Sequence, residues 1–369
     1  MTNQSSPAPS TNAASSVGSV KVLNSSEVKK LAAGDIFKGV FVVNSVIKKT
    51  DKNGKPYWEM TVSDKCGVIG AKIWSDAGWW DRSLPDLEMK PDMLPLERIP
   101  ELKGQTVGIT GKVSDFRGQL QYNFNAISFL NQERFPATKY VAHSDVPLPI
   151  LSQRLDGLIE GCRPEVRDFL KHIFDGDWGR RFRDVPAAVS NHHAYAHGLL
   201  EHTLTVAESA QAIALRYKDV YPTLDVDLVV AGALLHDLGK VESYVMSPVP
   251  EITLAGAVLD HIAIGYARFD RFAEEFGLSE ELKLRIGHIL LSHHGQKEFG
   301  SPVLPATLEA LIVATADELD FRLFCWKDAV KDLADDQEIS AWHHAAQRRF
   351  WRAAPPASEL GGQMGEDER

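Results

Sequence analysis

This chain of 369 residues has few cysteines and no long apolar run. Its three cysteines, Cys66, Cys162 and Cys325, lie far apart and form no CxxC pair, which excludes a disulfide framework and a thiolate zinc site. No stretch approaches the roughly 18 consecutive apolar residues that a membrane span needs, and the N-terminus lacks the order of a signal peptide. We therefore expect a cytoplasmic protein without a membrane segment, in which any metal ligands are nitrogen and oxygen atoms.

Basic residues are also fewer than acidic ones, since the chain has 40 Lys and Arg but 50 Asp and Glu, which gives a net charge of -10. Nucleic-acid binding depends on Lys and Arg that neutralise phosphates. The charge is unevenly distributed, however: residues 21–135 contain 17 basic and 14 acidic residues, a net charge of +3, and the remainder carries -13. The N-terminal segment is therefore the part of the chain best suited to a polyanion.

The sequence pattern of the N-terminal third of the chain predicts a β domain. Residues 1–20 are rich in Ser, Ala, Asn, Thr and Pro and have no periodicity, which predicts a disordered tail. Residues 21–135 contain about five short strands, and the pairs Asn53-Gly54 and Arg117-Gly118 are hairpin signals between two pairs of them. About five short strands in this space predict a small closed barrel, and the OB-fold is the commonest one that fits.

The remainder of the chain is predicted to be helical. A linker over residues 136–150 contains several prolines, and a helical domain follows over residues 151–335. Residues 336–369 are predicted to form a C-terminal helix and a disordered tail. The fold class is therefore a two-domain protein, an all-β barrel followed by an all-α bundle.

Aromatic and basic residues alternate along the predicted barrel strands. Proteins that bind single strands stack bases on aromatic rings and follow the backbone with cations. The alternative is that about half of these aromatics belong to the barrel core, and strand alternation puts Tyr57 and Trp58 on opposite faces, so only one of them can be on the binding side. The candidate contacts are Lys48, Lys55, Tyr57, Trp58, Lys72, Trp74, Arg117 and Tyr122.

Histidines and aspartates recur at wide intervals along the helical domain. The segment before His236-Asp237 is apolar on all sides and predicts a buried helix, so Asp237 would be a buried carboxylate that needs a cation. We expect Gly239 to end this helix in the left-handed conformation and to turn Lys240 back toward the site. Each residue alone is more often a core residue, but together they predict a metal cage, formed by His202, His236, Asp237, His261, His293, His294 and Asp317.

These residues carry a family resemblance. The order of the cage residues resembles the HD superfamily of metal-dependent phosphohydrolases, and the strings NHHAYAHGLLEHTL, LLHDLGK, ILLSHHGQKEFGSP and ATADELD resemble the YhaM-type 3'-to-5' exoribonucleases, in which an OB-fold precedes an HD domain. The resemblance spans roughly residues 35–330. No Gly-Tyr-Pro follows His293-His294, so the chain does not resemble the cyclic di-GMP hydrolases with that motif. The resemblance implies hydrolysis of single-stranded RNA to nucleoside 5'-monophosphates, with single-stranded DNA as a second candidate substrate.

The resemblance also implies a centre with two divalent metal ions. His202, His236, Asp237 and Asp317 would hold the first, and Asp237 would bridge to a second held by His261, His293 and His294. A hydroxide shared by two such ions can attack a phosphodiester, and Lys240 would stabilise the charge that develops on phosphorus, although a role as a helix cap is its alternative. Mixed nitrogen and oxygen ligands favour Mn, with Fe, Co, Ni, Zn or Mg as alternatives.

Other histidines and acids have weaker assignments. His193 is a candidate nucleic-acid contact, and its alternative is a surface histidine. His288 and Asp320 are candidates for supporting the ligands. Two other functions stay open, a phosphohydrolase of small nucleotides (a dNTP or a cyclic dinucleotide) and a non-catalytic nucleic-acid-binding protein. The family resemblance is compatible with a homo-oligomer.

Overall fold

The computed structural model describes residues 21–84, 91–189, 192–247, 249–331, 333–334 and 336–353. Both predicted disordered segments, residues 1–20 and the end of the chain after residue 353, lie outside the described residues. The chain divides into two compact units between Tyr140 and Val141. Within the described ranges, none of the helices combines the length and the apolar character that crossing a membrane would require.

The first unit is a β domain with one short α-helix, and its sheet is built from alternating apolar and polar residues. Inward positions of the second strand are Trp58, Met60 and Val62, which are buried, whereas the residues between them are partly exposed. The elements are α1 (Ser25–Lys29), β1 (Ile36–Thr50), β2 (Pro56–Asp64), β3 (Gly67–Ile73), β4 (Gly78–Arg82), β5 (Asp92–Met93), a 3-10 helix (Leu96–Leu102), β6 (Thr106–Phe116), β7 (Gln119–Leu130) and a 3-10 helix (Ala137–Lys139).

Five of these strands close into a barrel. β1 pairs with β2 and β6, β2 pairs with β3, and β6 pairs with β7, all antiparallel. A parallel pair between β3 and β7 completes the ring, which gives the OB-like barrel that the sequence predicts. The strands β4 and β5 extend the sheet beyond β7. These two short strands are additional to the five that the sequence predicts, because their segment is rich in Pro, Asp and Trp, which is typical of a loop.

Both predicted hairpin turns are confirmed. Asp51 accepts hydrogen bonds from the backbone N–H groups of Asn53 and Lys55, each at 2.8 Å, and Gly54 has φ +79°. Arg117 and Gly118 have φ +58° and +80°, the left-handed pair of a type I′ turn. These turns fix the register of β1 with β2 and of β6 with β7, and the register in turn decides which side chains face outward.

The second unit is a helical domain around one central helix. Every residue of α6 from Leu228 to Leu235 is buried, as its uniform apolar composition predicts, and the side chain of Asp225 caps its first turn. The elements are α2 (Leu148–Glu160), α3 (Pro164–Phe174), α4 (Asp177–Asp184), α5 (Gly198–Tyr217), α6 (Val226–Leu235), α7 (Lys240–Ser243), β8 (Tyr244–Met246), β9 (Pro250–Ile252), α8 (Leu254–Leu259), α9 (His261–Phe276), α10 (Glu280–Ser292), a 3-10 helix (Lys297–Phe299) and α11 (Leu308–Val330).

The prediction that this domain is all-α is wrong in one place. β8 and β9 form an antiparallel hairpin in which Tyr244 pairs with Ile252. A proline at position 250 would remove a backbone donor inside a helix, whereas the first position of a strand tolerates it.

The predicted C-terminal helix is also wrong for the residues that the structure describes. We call residues 336–353 the C-terminal segment, and they form a looped-back turn instead of a helix. The backbone N–H of Ser340 donates to Phe350 O at 2.9 Å, and that of His343 donates to Arg348 O at 2.8 Å. The Trp326 indole of α11 donates to Trp351 O at 3.1 Å. These backbone N–H groups donate to carbonyls on the other side of the turn, so they cannot form the hydrogen bonds of a helix.

Candidate metal centre and stacking face

Five helices bring the predicted cage residues to one place. His202 lies in the second turn of α5, His261 is the first residue of α9, and Asp317 lies in α11. The pairs His236-Asp237 and His293-His294 directly follow the last residues of α6 and α10. Because α6 is buried on all sides, its C-terminal end delivers a histidine and a carboxylate into the interior of the domain.

Two cage histidines lie next to one oxygen of Asp237, and Asp317 lies beside one of them. His202 Nε2 lies 3.2 Å from Asp237 Oδ2, 3.3 Å from Asp317 Oδ1 and 3.2 Å from His236 Nε2. His236 Nε2 also lies 3.2 Å from Asp237 Oδ2. His202, His236 and Asp317 each offer one ligand atom within 4.8 Å of the others. This first cluster has the spacing and composition of a divalent metal site.

A second cluster lies on the other side of the same carboxylate. His261, His293 and His294 also offer ligand atoms within 4.8 Å of one another. Asp237 Oδ1 lies 3.5 Å from His261 Nε2 and 3.8 Å from His293 Nε2. The two oxygens of Asp237 therefore face different groups of histidines, as a carboxylate that bridges two cations would.

Several atoms of the cage are buried without a hydrogen bond. Among the described residues, Asp237 Oδ1, His261 Nε2 and His293 Nε2 have no hydrogen-bond partner. Each such atom would cost about 1–3 kcal/mol if it stayed unsatisfied. All three point toward the second cluster, so cations bound between these ligands would remove the cost. The residues of the second cluster thus fit a divalent metal ion, and the first cluster offers a similar set of ligand atoms.

In every cage histidine, the ring nitrogen that faces away from the cage, Nδ1, has a hydrogen-bond partner outside the cage. In each ring Nδ1 lies 2.5–2.7 Å from an acceptor. Since these acceptors are carbonyl and carboxylate oxygens, Nδ1 carries the proton and Nε2 presents its lone pair to the cage. The acceptors are Asp320 for His202, the carbonyl of Ala233 for His236, Asp260 for His261, the carbonyl of Leu290 for His293 and the carbonyl of Phe299 for His294.

Electrostatics keep Asp237 and His293 in the protonation states that metals require. Burial would raise the pKa of Asp237, but Lys240 and His236 outweigh burial and hold that pKa well below its usual value. Burial lowers the pKa of His293 well below its usual value, which keeps this ring neutral. Carboxylates that are ionised and imidazoles that are neutral are the ligand forms of these residues.

Gly239 differs from its prediction. It has φ -70° and ψ -16°, so the predicted left-handed cap is wrong. A Cβ at this position would lie 2.0 Å from His261 O and 2.5 Å from Gly265 N. Glycine is needed here because the start of α7 and the first turns of α9 approach each other closely, and this contact sets the position of His261.

Lys240 begins α7 and points into the cage. Its Nζ lies 2.7 Å from Asp237 Oδ2, and the side chain is buried. Burial opposes the charged form, but Asp237 outweighs burial and raises the pKa of Lys240. The side chain is therefore a buried cation next to the two clusters, and its partner is a cage carboxylate.

A cavity of 540 Å³ opens onto the cage, within the range of about 300–1,000 Å³ that is usual for small-molecule sites. On the cage side it is lined by Lys240, His293, His294 and Asp317. His192 also lines it, whereas the residue predicted to contact nucleic acid was the neighbouring His193. The His192 ring lies 5.2 Å from that of His202, and burial lowers its pKa to about 3. Its buried Nδ1 has no partner among the described residues.

His193 lies behind the cage instead of in this cavity. It is buried, with Nδ1 at 2.6 Å from the Tyr195 hydroxyl and Nε2 at 3.2 Å from Asp320 Oδ2. Both ring nitrogens thus have partners within the domain, and a contact of His193 with nucleic acid stays a prediction. The sequence string NHH gave no means to decide which of the two histidines faces inward.

The two candidate supporting residues differ in their positions. Asp320 Oδ2 lies 2.7 Å from His202 Nδ1 and therefore touches a cage residue directly. His288 instead accepts a hydrogen bond from the backbone of Ala306 at 2.9 Å, which ties α10 to the loop before α11. This contact does not involve the cage.

The barrel separates the predicted nucleic-acid contacts into core and surface residues. Trp58 is only 5% exposed and packs against Trp79, with ring centroids 5.5 Å apart. It is a core residue, and its predicted role in nucleic-acid binding is wrong. Tyr122 is half-buried and its ring meets Phe37 of the core. Strand alternation turns Tyr57 outward, as it must when Trp58 is inside.

A stacking face lies on the outside of β2, β3 and β7. We give this name to Tyr57, Lys72, Trp74 and Asn123. The rings of Tyr57 and Trp74 lie 5.3 Å apart at an angle of 31°, Lys72 Nζ lies 5.9 Å from the Trp74 ring, and the Trp74 indole donates to Asn123 Oδ1 at 3.1 Å. The hydrogen bond fixes the orientation of a Trp74 side chain that is 42% exposed.

The remaining basic candidates surround the barrel surface. Lys48 and Lys55 are exposed, on β1 and just before β2. The Arg117 guanidinium lies 5.2 Å from the Phe116 ring, in the turn between β6 and β7. Cations at such positions are suited to follow a phosphate backbone.

Comparisons with known proteins find a matching family model, similar sequences and similar solved structures. A model of the HD domain matches residues 199–322, the range that carries every cage residue. The 3'-5' exoribonuclease YhaM of Halalkalibacterium halodurans is 29% identical over 79% of this chain and 84% of its own length. Among solved structures, the second OB-fold domain of replication protein A from Methanococcus maripaludis aligns with 28% of this chain and 90% of its own, at 17% identity and a TM-score of 0.18.

A second relative of the same name is the 3'-5' exoribonuclease YhaM of Bacillus velezensis. It is 30% identical over 314 residues, which are 85% of this chain and 93% of the relative. The alignment thus extends over both the barrel and the helical domain instead of one of them. The chain therefore belongs to the YhaM family of 3'-5' exoribonucleases.

Proposed function

We propose that the protein is a metal-dependent 3'-to-5' exoribonuclease that hydrolyses single-stranded RNA to nucleoside 5'-monophosphates. The observation that carries the proposal is the carboxylate of Asp237, whose two oxygens face two separate groups of ligands. The names of the relatives support the same activity. Single-stranded DNA is a second candidate substrate.

The proposed centre would hold two divalent cations. His202, His236 and Asp317 would hold one, His261, His293 and His294 would hold the other, and Asp237 would contact both. When bound, such cations polarise phosphoryl oxygens and lower the pKa of water. Because the ligand set is rich in imidazole, it favours a transition metal over Mg, and Mn is our first candidate.

Protein groups would orient the substrate around this centre. Lys240 is charged, and its Nζ lies 2.7 Å from Asp237 Oδ2, so a phosphate beside Asp237 would lie within reach of its donors. That contact stabilises the negative charge that builds up on the phosphoryl oxygens in the transition state. His192 is neutral and has a free Nδ1 at the wall of the cavity, which suits it to hydrogen bond with the substrate.

The stacking face would bind the RNA strand. Base stacking on an aromatic side chain tolerates any sequence, and Trp74 is both exposed and held in place by Asn123. The excess of basic residues in this part of the chain supports the same role.

The test uses 5'-labelled single-stranded RNA and the same sequence as DNA, with Mn or with EDTA, on a denaturing gel. We expect a ladder that shortens from the 3' end with Mn only, and nucleoside 5'-monophosphates in the products. Asp237→Asn should reduce turnover by more than about 100-fold while RNA binding, measured by fluorescence anisotropy, stays intact. Asp156→Asn, at an exposed position of α2, is the matched control.

The outcomes separate the proposal from its alternatives. Full turnover by Asp237→Asn would contradict the metal mechanism. An intact label in every lane, together with hydrolysis of a dNTP or a cyclic dinucleotide, would identify a phosphohydrolase of small nucleotides. RNA binding without hydrolysis of any of these substrates would identify a binding protein.

A further inference from the structure

Part of the wall of the cavity is formed by the C-terminal segment. We propose that Arg348 of this segment binds a backbone phosphate of the RNA strand next to the phosphate that is cleaved. This inference rests on the proposed function, because it assigns part of the substrate to that same cavity. It adds a substrate-binding residue that lies outside the matched HD domain, which ends at residue 322.

The position of Arg348 follows from the turn that contains it. Residues Ala345, Ala346, Gln347 and Arg348 line the same cavity as Lys240, His293 and Asp317. The turn is closed by backbone hydrogen bonds in both directions between His343 and Arg348, at 2.8 Å and 3.4 Å. Gln347 adopts the left-handed conformation, with φ +51°.

The rest of the C-terminal segment holds this turn in place. Ser340 Oγ accepts a hydrogen bond from the Phe350 N–H at 2.9 Å. The Arg352 guanidinium donates to the carbonyls of Ala334 and Gln337 at 2.6 Å and 2.9 Å, and Trp351 accepts from Trp326 of α11. The turn is therefore attached to the helix that also carries Asp317.

Charge distinguishes Arg348 from the other cations of the cavity. Lys240 is paired with Asp237, and the Arg322 guanidinium is paired with Glu318. Arg348 is exposed, its Nε donates to the carbonyl of Ala346 at 3.2 Å, and it has no carboxylate partner among the described residues. Its terminal nitrogens are thus available, and a guanidinium binds two oxygens of one phosphate through parallel donors.

The remaining surface of the cavity suits a nucleotide. Phe299 and Phe321 also line it, and Phe299 is 60% exposed. Aromatic faces stack nucleobases of any sequence. A cavity lined by acidic and imidazole ligands, by aromatic rings and by an unpaired guanidinium fits the terminal nucleotide of a single strand together with its neighbouring phosphate.

The experiment compares two substrates that differ in their number of phosphates. Steady-state kinetics of Arg348→Gln are measured on a single-stranded RNA of ten nucleotides and on bis(p-nitrophenyl) phosphate, which has one phosphate only. We expect KM for the RNA to rise about tenfold or more, the effect of losing a hydrogen bond to a charged group. The loss in kcat/KM on the RNA should exceed the loss on the small ester by the same factor.

Two further variants make the result specific. Arg348→Lys keeps the charge without the paired donors, so its KM should lie between those of the wild type and Arg348→Gln. Arg349→Gln removes the adjacent exposed cation, which does not line the cavity, and should match the wild type on both substrates. Thermal melting of each variant checks that the fold is retained.

The possible results separate this inference from the proposed function. If the wild type degrades the RNA and Arg348→Gln does so with the same KM, the inference is wrong and the exonuclease stands. Equal losses on the RNA and on the small ester would also overturn it, because the turn would then act on the cage and not on a second phosphate. A wild type that does not degrade RNA would overturn the proposed function itself.

Discussion

Asp320 Oδ2 accepts a hydrogen bond from His202 Nδ1 at 2.7 Å. The same oxygen lies 3.2 Å from Nε2 of His193, so one carboxylate joins two histidines. Burial would raise the pKa of Asp320, but its hydrogen bonds with His193 and His202 outweigh burial and keep that pKa below its usual value. The ionised carboxylate fixes the tautomer of His202 that directs Nε2 to the first cluster.

Asp320→Ala should therefore weaken metal binding without removing a ligand. We expect the affinity for Mn to fall roughly 10- to 100-fold, the usual effect of losing such a partner, and isothermal titration calorimetry measures it directly. Asp328→Ala is the control, because Asp328 lies on the same helix but pairs with Lys331 at the surface. If both variants bind Mn as the wild type does, the orientation of His202 does not depend on Asp320.

Metal binding should also stabilise the fold. Asp237 is a buried carboxylate and the Asp317 side chain is 15% exposed, and cations bound beside them would stabilise the native state only. With free Mn at 100 times its dissociation constant, the free energy of unfolding should rise by about 2.7 kcal/mol. Thermal melting with Mn and with EDTA measures the shift, which Asp237→Asn should abolish. Identical melting curves of the wild type in both conditions would contradict a metal centre.

The positions of some cage residues could be predicted because they continue an apolar face. His236-Asp237 follows a helix that is apolar all round, and burial of Leu228 to Leu235 leaves its C-terminal end no place but the interior. The strands of the barrel could also be predicted from the sequence, since Trp58, Met60 and Val62 alternate with outward residues. Periodicity thus carries the information on which side chains face inward.

Contacts between distant segments could not be predicted in this way. Periodicity does not show that a Cβ at Gly239 would collide with the backbone of His261, because that contact depends on how α7 meets α9. The choice between His192 and His193 depends on a loop without periodicity. The turn with Arg348 was predicted to be a helix because its backbone donors find partners across the loop only once the segment has folded back.

Trp74→Ala should weaken binding of single-stranded RNA. The indole offers an exposed aromatic face next to Tyr57, and stacking of one base contributes about 1–3 kcal/mol. The dissociation constant of a labelled RNA, measured by fluorescence anisotropy with EDTA present, should rise by about 5- to 150-fold. Met93→Ala removes an exposed apolar side chain from β5, outside the stacking face. This control should leave the dissociation constant of the RNA unchanged. Unaltered binding by Trp74→Ala would place the RNA elsewhere.

Gly239→Ala tests whether a close backbone contact positions the second cluster. The new methyl group would lie 2.0 Å from His261 O, so α7 and α9 would have to separate, at a cost of about 1–3 kcal/mol in the free energy of unfolding. Urea unfolding measures this loss, and calorimetry should show weaker Mn binding because His261 moves with α9.

Gly157→Ala provides the matched control for that variant. Gly157 lies within α2, and a Cβ there would meet no atom within 4 Å. Alanine is the better helix former, so this variant should gain about 0.5–1 kcal/mol. The two substitutions add the same methyl group and should change stability in opposite directions. If Gly239→Ala were as stable as Gly157→Ala and bound Mn normally, the approach of α7 to α9 would not be what holds His261 in the cage.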